Sequence, residues 1–194
     1  MKQITLFDHS GLNEKLKWYH EPSDWSIENH HLVISPQART DFWQRTHYGF
    51  EVDNGHFLFV NVEGDFIMEA SMSSKFQHQY DQAGLMVRVS DQCWMKSSLE
   101  FESEEPNKLG VVVTNHGYSD WSSQDVSDEL AAYKMRVTRK NSDYKVEYYN
   151  ESAEMWVQIR LFHLFDQSVV KAGIYCCSPK EAGFKVRFEC LSIR

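Results

Sequence analysis

Apolar and polar residues alternate with a period of two along most of the chain, and no window carries a helical stripe longer than two turns. The pattern predicts strands at 31–35, 41–43, 48–52, 56–61, 64–74, 82–90, 93–102, 109–115, 130–140, 143–149, 155–164, 169–177 and 183–193. So many short strands at close spacing mean an all-β sandwich or barrel. Asp53-Asn54-Gly55, between GFEV and HFLFV, is the residue pairing of a tight hairpin turn, and Asn61–Asp65 and Lys140–Asp143 read as two more hairpins. Thr114–Glu129 reads as the longest polar loop, and the first thirty residues as an irregular lead-in whose Trp18 and Trp25 pack on the body. No repeat or linker divides the 194 residues, so a single domain is expected.

Side-chain alternation sorts the strands into faces. Gln82, Gly84, Met86 and Arg88 share one side of the 82–90 strand, opposite Ala83, Leu85, Val87 and Val89. In the next strand Trp94, Lys96, Ser98, Glu100 and Glu102 lie opposite Cys93, Met95, Ser97, Leu99 and Phe101. A hairpin through Ser90-Asp91-Gln92 would place Gln82, Lys96 and Glu100 on one polar and aromatic face outside the core. Met155, Val157, Ile159 and Leu161 alternate with Trp156, Gln158, Arg160 and Phe162, which adds Arg160 to the amphipathic groups suited to a ligand. At the end of the chain Phe184, Val186, Phe188 and Cys190 alternate with a solvated Lys185, Arg187 and Glu189.

Composition narrows the partners. The chain is 42% apolar and 14% aromatic, which suits a self-sufficient core. Its net charge of −8 repels phosphate backbones and anionic lipid, so neither nucleic acid nor a membrane is expected as a partner. No window reaches membrane-spanning length and the start has no signal-peptide core, which predicts a cytoplasmic protein. Cysteines at 93, 176, 177 and 190 form no CxxC pair and read as reduced, mostly buried thiols. The nine histidines show no metal-ligand spacing, and neither a metal nor another cofactor is expected. No nucleophile elbow, Ser-His-Asp arrangement or phosphate loop is present.

Three motifs in one order then carry a resemblance: DFWQRTHYGFEVDNGHFL, YDQAGLMVRV with CWMKSSLEFE, and AGIYCCSP with FKVRFE. Together they resemble the DUF1349 family, that of the fungal regulator-of-enolase protein, over roughly residues 30–194. The motif positions are Phe42, Trp43, His47, Tyr80, Asp81, Gln82, Gly84, Trp94, Lys96, Glu100, Tyr175 and Pro179. The resemblance implies a concanavalin A-like jelly-roll sandwich of two curved antiparallel sheets, with a concave face that holds carbohydrate in related lectins and glucanases. It implies no reaction.

Three expectations follow. The first is a carbohydrate or small polar ligand on the concave sheet, bound by Tyr80, Asp81, Gln82, Trp94, Lys96, Glu100, Trp121, Arg160 and Tyr175. Amides and charges would read hydroxyls while Trp94, Trp121 and Tyr175 stack on the sugar face. The polar groups of such a site, being outside the framework, should be removable at little cost in stability. The second is a glycoside hydrolase using Glu100 with Glu102 or Glu104, since same-face residues of a regular strand lie about 6.5–7 Å apart and catalytic carboxylate pairs need about 5–9.5 Å. The third is a regulatory domain that grips a protein partner.

Overall fold

The computed structural model describes residues 3–9, 11–127 and 132–194. Among them there is no helix. In chain order the strands are β1 (Ile4–Thr5), β2 (Phe7–Asp8), β3 (Gly11–Leu12), β4 (Lys17–Tyr19), β5 (Asp24–Glu28), β6 (His31–Ser35), β7 (Phe42–Gln44), β8 (Glu51–Asp53), β9 (His56–Glu63), β10 (Phe66–Lys75), β11 (Gln82–Ser90), β12 (Cys93–Glu100), β13 (Lys108–Asn115), β14 (Tyr118–Asp125), β15 (Ala132–Lys140), β16 (Asp143–Asn150), β17 (Met155–His163), β18 (Val169–Cys177) and β19 (Lys185–Ile193). The expected 130–140 strand therefore begins at residues outside the described set.

Two antiparallel sheets face each other. One has the order β17-β16-β15-β10-β19-β6-β5, with β1 also paired to β19, and the other β14-β13-β12-β11-β18-β9-β4. The fold is the expected all-β jelly-roll sandwich. Its main core lies between the sheets, where Leu85, Val87, Met95, Met68, Val137 and Ile174 are excluded from water. Each such side chain contributes about 1.5–3 kcal/mol by burial. The β11–β12 hairpin and the β15-β16-β17 meander match the sequence pattern.

Other expectations are corrected. The lead-in is not irregular, because β4 pairs with β9 and β5 with β6, extending both sheets. Thr114–Asp125 is not a loop: His116 and Gly117, at φ 53° and 73°, make a two-residue turn into edge strand β14. Among the described residues no strand pairs with its outer edge, so the strand is polar and its alternation weak. The connection at Asn61–Asp65 carries the chain from one sheet to the other instead of closing a hairpin.

Asn54-Gly55 is no hairpin turn either, since β8 pairs with β7 and β9 with β18 and β4. Both backbone amides donate to the Asp41 carbonyl. Gly55 is required by space, because a Cβ there would stand 2.3 Å from the Phe42 ring and 2.5 Å from Cys177 Sγ.

Two β-bulges flip the parity read from sequence. In β19 the register shifts beside Phe188 and Cys190, so Cys190 is exposed while Leu191 and Ile193 face the core. In β17 the register shifts around Ile159, so Trp156 packs under Arg136 on the outer surface while Phe162 stacks on Tyr144 inside. All four cysteines are free, and Cys176 and Cys177 face opposite sides of β18, one in each apolar cluster.

At the start of β9, His56 is buried. The Gln37 amide donates to its Nε2 at 3.2 Å, so the ring proton is on Nδ1 and donates to the His20 carbonyl at 2.7 Å. Burial lowers its pKa below the ordinary 6.5, against the opposing pull of that carbonyl bond. The unfolded chain therefore binds a proton that the folded state refuses. Stability from this group is complete above pH 6.5 and is lost as pH falls through the lowered folded value. Urea titrations are expected to show a slope of up to about 1.4 kcal/mol per pH unit below about pH 6.5, reduced in His56→Gln whatever that variant's absolute stability.

Candidate functional site

The seven-stranded sheet has a second populated face, turned away from the main core and corresponding to the one expected to be concave. The β7–β8 hairpin lies across it as a strap. At one end Thr40 is tied to Ser178 just beyond β18, with Thr40 N donating to the Ser178 carbonyl and Ser178 N to Thr40 Oγ1. At the other, the Gln44 amide donates to Ser119 Oγ on β14 at 2.9 Å. Beneath the strap Phe42, Trp94, Tyr175, Phe57, Met86 and Cys177 form a second apolar cluster. Half of the face expected to be open is therefore core.

Two cations from the sheet hold the strap down. Arg88 is bidentate to Asp53 at 2.6 and 2.7 Å and lies over the Tyr19 ring. Lys96 Nζ donates to Asp41 Oδ1 at 2.7 Å and to Gln82 Oε1 at 2.8 Å. Burial is the largest single influence on Lys96 and opposes its charge, but Asp41, Cys177 and Glu100 together outweigh it and hold the ammonium above its ordinary range. The Gln82 amide is fully engaged, since its oxygen also accepts from the Tyr175 hydroxyl at 3.1 Å while its nitrogen donates to the Tyr80 carbonyl and to Glu100 Oε2.

The uncovered half of the face is a cavity of about 850 Å³. Gln82, Lys96, Glu100 and Val112 lie along its sheet side, and Trp43, Tyr48, Phe50 and Val52 come from the strap. The opposite wall is made by Gln79, Tyr80 and Glu102–Glu105. Trp121 and Ser123 of the edge strand lie at one end, and Arg39, Pro179 and Lys180 at the other. Tyr48, Phe50, Tyr80 and Trp121 keep a third or more of their surface exposed. A Cβ at Gly110 would stand 2.6 Å from Trp121 Nε1, so this glycine lets the indole lie down against the sheet. Tyr80 holds φ at 72°, costly for an aromatic residue, and is fixed there by bonds from its amide to the Phe101 carbonyl and from Gln82 to its own carbonyl.

Burial is the largest influence on Glu100, ahead of the opposing pull of Lys96, and lifts its carboxyl to about 8. At neutral pH it is largely a neutral acid and can donate as well as accept. With Glu100 neutral, Arg39, Lys96, Lys108 and Lys180 are matched by Asp41, Glu102, Glu104 and Glu105 around the cavity.

Of the residues expected in the site, Tyr80, Gln82, Lys96, Glu100 and Trp121 line the cavity, as do Glu102 and Glu104. The stacking roles expected for Trp94 and Tyr175 are corrected, because both rings are buried under Phe42 and Tyr175 reaches the site only through Gln82. Asp81 is a turn organiser, wholly buried, accepting from the Gln77 and His78 amides and from Ser178 Oγ. Arg160 belongs elsewhere. The β17 bulge sends it across the open side of the sandwich to the Val111 carbonyl and Asp120. β12 ends at Glu100, so the strand regularity that spaced Glu100 from Glu102 and Glu104 stops there. Tyr48 and Phe50 were not singled out in the sequence, although their same-face spacing in YGF was a signal. Asp53 and Asp120 each accept an arginine.

The fold defines the class: a concanavalin A-like jelly roll. The lectin I-B4 of Griffonia simplicifolia has the same fold, with a TM-score of 0.62 at 11% identity over 100% of this chain and 99% of the lectin. A family model described as "Protein of unknown function (DUF1349)" matches residues 18–194, and the chain belongs to that family. It is 31% identical over 172 residues to "Regulation of enolase protein 1" of Saccharomyces cerevisiae, covering 89% of this chain and 85% of that one. It is also similar to a crystal structure titled as a functionally unknown protein from Saccharomyces cerevisiae, with a TM-score of 0.86 and 30% identity over 93% of this chain and 96% of that chain.

The network corrects the expectation that its polar groups are dispensable. Lys96→Ala would leave the Asp41 carboxylate without its buried cation, at an expected cost of about 3 kcal/mol. Glu100→Gln behaves differently. The folded state keeps the Glu100 proton that the unfolded chain releases, so this group's contribution is complete below about pH 4.5 and is lost as pH rises to about 8. Glu100→Gln should match wild-type urea stability near pH 5 and exceed it above about pH 8.

Proposed function

We propose that the cavity on the outer face of the seven-stranded sheet binds a neutral carbohydrate or similar polyhydroxylated ligand. The observation that carries this reading is the pairing of a fixed polar floor with an exposed aromatic rim. The saturated Gln82 amide holds Lys96 and Glu100 in place, so hydrogen bonds from those two groups to a ligand cost little further ordering. Tyr48, Phe50, Tyr80 and Trp121 offer ring faces for the apolar C–H surface of a sugar. The balance of charged groups favours an uncharged ligand over an anion or a cation. The volume falls within the range of about 300–1,000 Å³ usual for small-molecule sites.

The glycosidase expectation has weaker support, because the strand that would have paired Glu100 with a second carboxylate ends at Glu100. A regulatory role has one specific support, the name of the yeast relative, regulation of enolase protein. On that reading the aromatic rim would meet a protein, and affinity capture of the native chain with purified enolase would retain the enzyme.

The carbohydrate reading is tested by screening the wild type and Trp121→Ala against mono- and oligosaccharides. Trp121 stands on an edge strand, so the variant should keep its stability within about 1 kcal/mol while losing tenfold or more in affinity, about 1.4 kcal/mol. Equal binding by both proteins would remove the rim from the site, and absence of binding by the wild type would overturn the reading.

A further inference from the structure

The cleft has unlike ends. One wall is the strap, which runs from Thr40 beside β18 to Gln44 above β14. The other is the turn at Gln79–Tyr80 with Glu102–Glu105. Near β18 the two walls are joined. Ala38 bridges Ser178, Thr40 and Ser178 exchange hydrogen bonds, and Lys180 reaches over the Tyr80 ring at 5.3 Å. Ser178 Oγ also donates to Asp81, which ties this junction to the turn that displays Tyr80. The Ala38–Thr40–Ser178 part of the blockage is backbone and buried hydrogen bonds that a ligand cannot push aside, whereas the Lys180–Tyr80 contact is made by exposed side chains. At the opposite end lies β14, paired among the described residues only with β13, and there the last lining groups are Trp121 and Ser123.

We propose that the site is blind at its β18 end and takes the terminus of a glycan chain, which enters over Trp121 and stops at Arg39, Pro179 and Lys180. This rests on the carbohydrate reading above. A chain interior would have to continue through the Ala38–Ser178 junction, whereas a terminal unit ends against it. Trp121, packed against Gly110, is the platform at the entrance, and Gln82, Lys96 and Glu100 lie deeper.

The test uses the full chain with three probes: an array of oligosaccharides attached through their reducing ends, the same sugars free in solution, and cyclic glucans, which have no ends. For any sugar that binds, linear homologues are then compared. Binding is expected to follow the molar concentration of chain ends, so that at equal mass a polymer a hundredfold longer competes roughly a hundredfold more weakly. Cyclic glucans should not compete. Which presentation binds, on the array or only free in solution, tells which end of the chain enters. Competition that follows mass instead of ends, or binding of a cyclic glucan comparable with its linear counterpart, would overturn the blind-end proposal while leaving the carbohydrate reading in place. No binding in any presentation would overturn both.

Discussion

The arrangement depends on two cations being buried on the outer face of one sheet. A charge removed from water needs a partner, and neither Lys96 nor Arg88 has one among the other strands of that sheet: both carboxylates, Asp41 and Asp53, stand at the open end of the β7–β8 strap. The strap is thus held by electrostatics as well as by Phe42, and the sheet cannot present these cations without it. Because Lys96 also holds Gln82, the contact that fastens the strap shapes the floor of the cavity.

This coupling explains why one sheet face does two jobs. Under the strap the face behaves as protein interior, with Trp94, Tyr175 and Phe42 meeting edge to face. Beyond it the same strands carry groups that remain polar and reachable. Glu100 sits at the transition, buried enough to favour its proton yet lining the cavity. Its acidity is a measure of how dry the boundary is.

Much of the architecture was legible in the sequence because period-two alternation survives wherever a strand is regular. β11, β18 and β6 fall where the pattern put them, and Gln82, Lys96 and Glu100 do share a face. What the pattern could not show was a change of parity inside a strand. The bulges near Ile159 and Glu189 leave the residue types unaltered while reversing the direction of those that follow, which is why Cys190 was misplaced, and Arg160 was misplaced because alternation does not tell that β17 belongs to the sheet opposite the site. Nor does alternation tell whether an outer face is covered. Trp94 and Trp121 stand on the same face of their sheet, and only the path of residues 36–55 decides that one is interior and the other a surface. Asn54-Gly55 shows a further limit, since the same dipeptide serves a tight turn or, as here, a close approach of two layers.

The tip of the strap, Arg45–Gly49, belongs to neither apolar cluster and is shaped by its own left-handed residues, Arg45, His47 and Gly49. It nevertheless carries Tyr48 to the cavity and stands next to Phe50. Aperture is therefore separable from scaffold. Lengthening or recutting this tip would reshape the mouth of the cleft while both sheets, the buried cations and the polar floor stayed as they are.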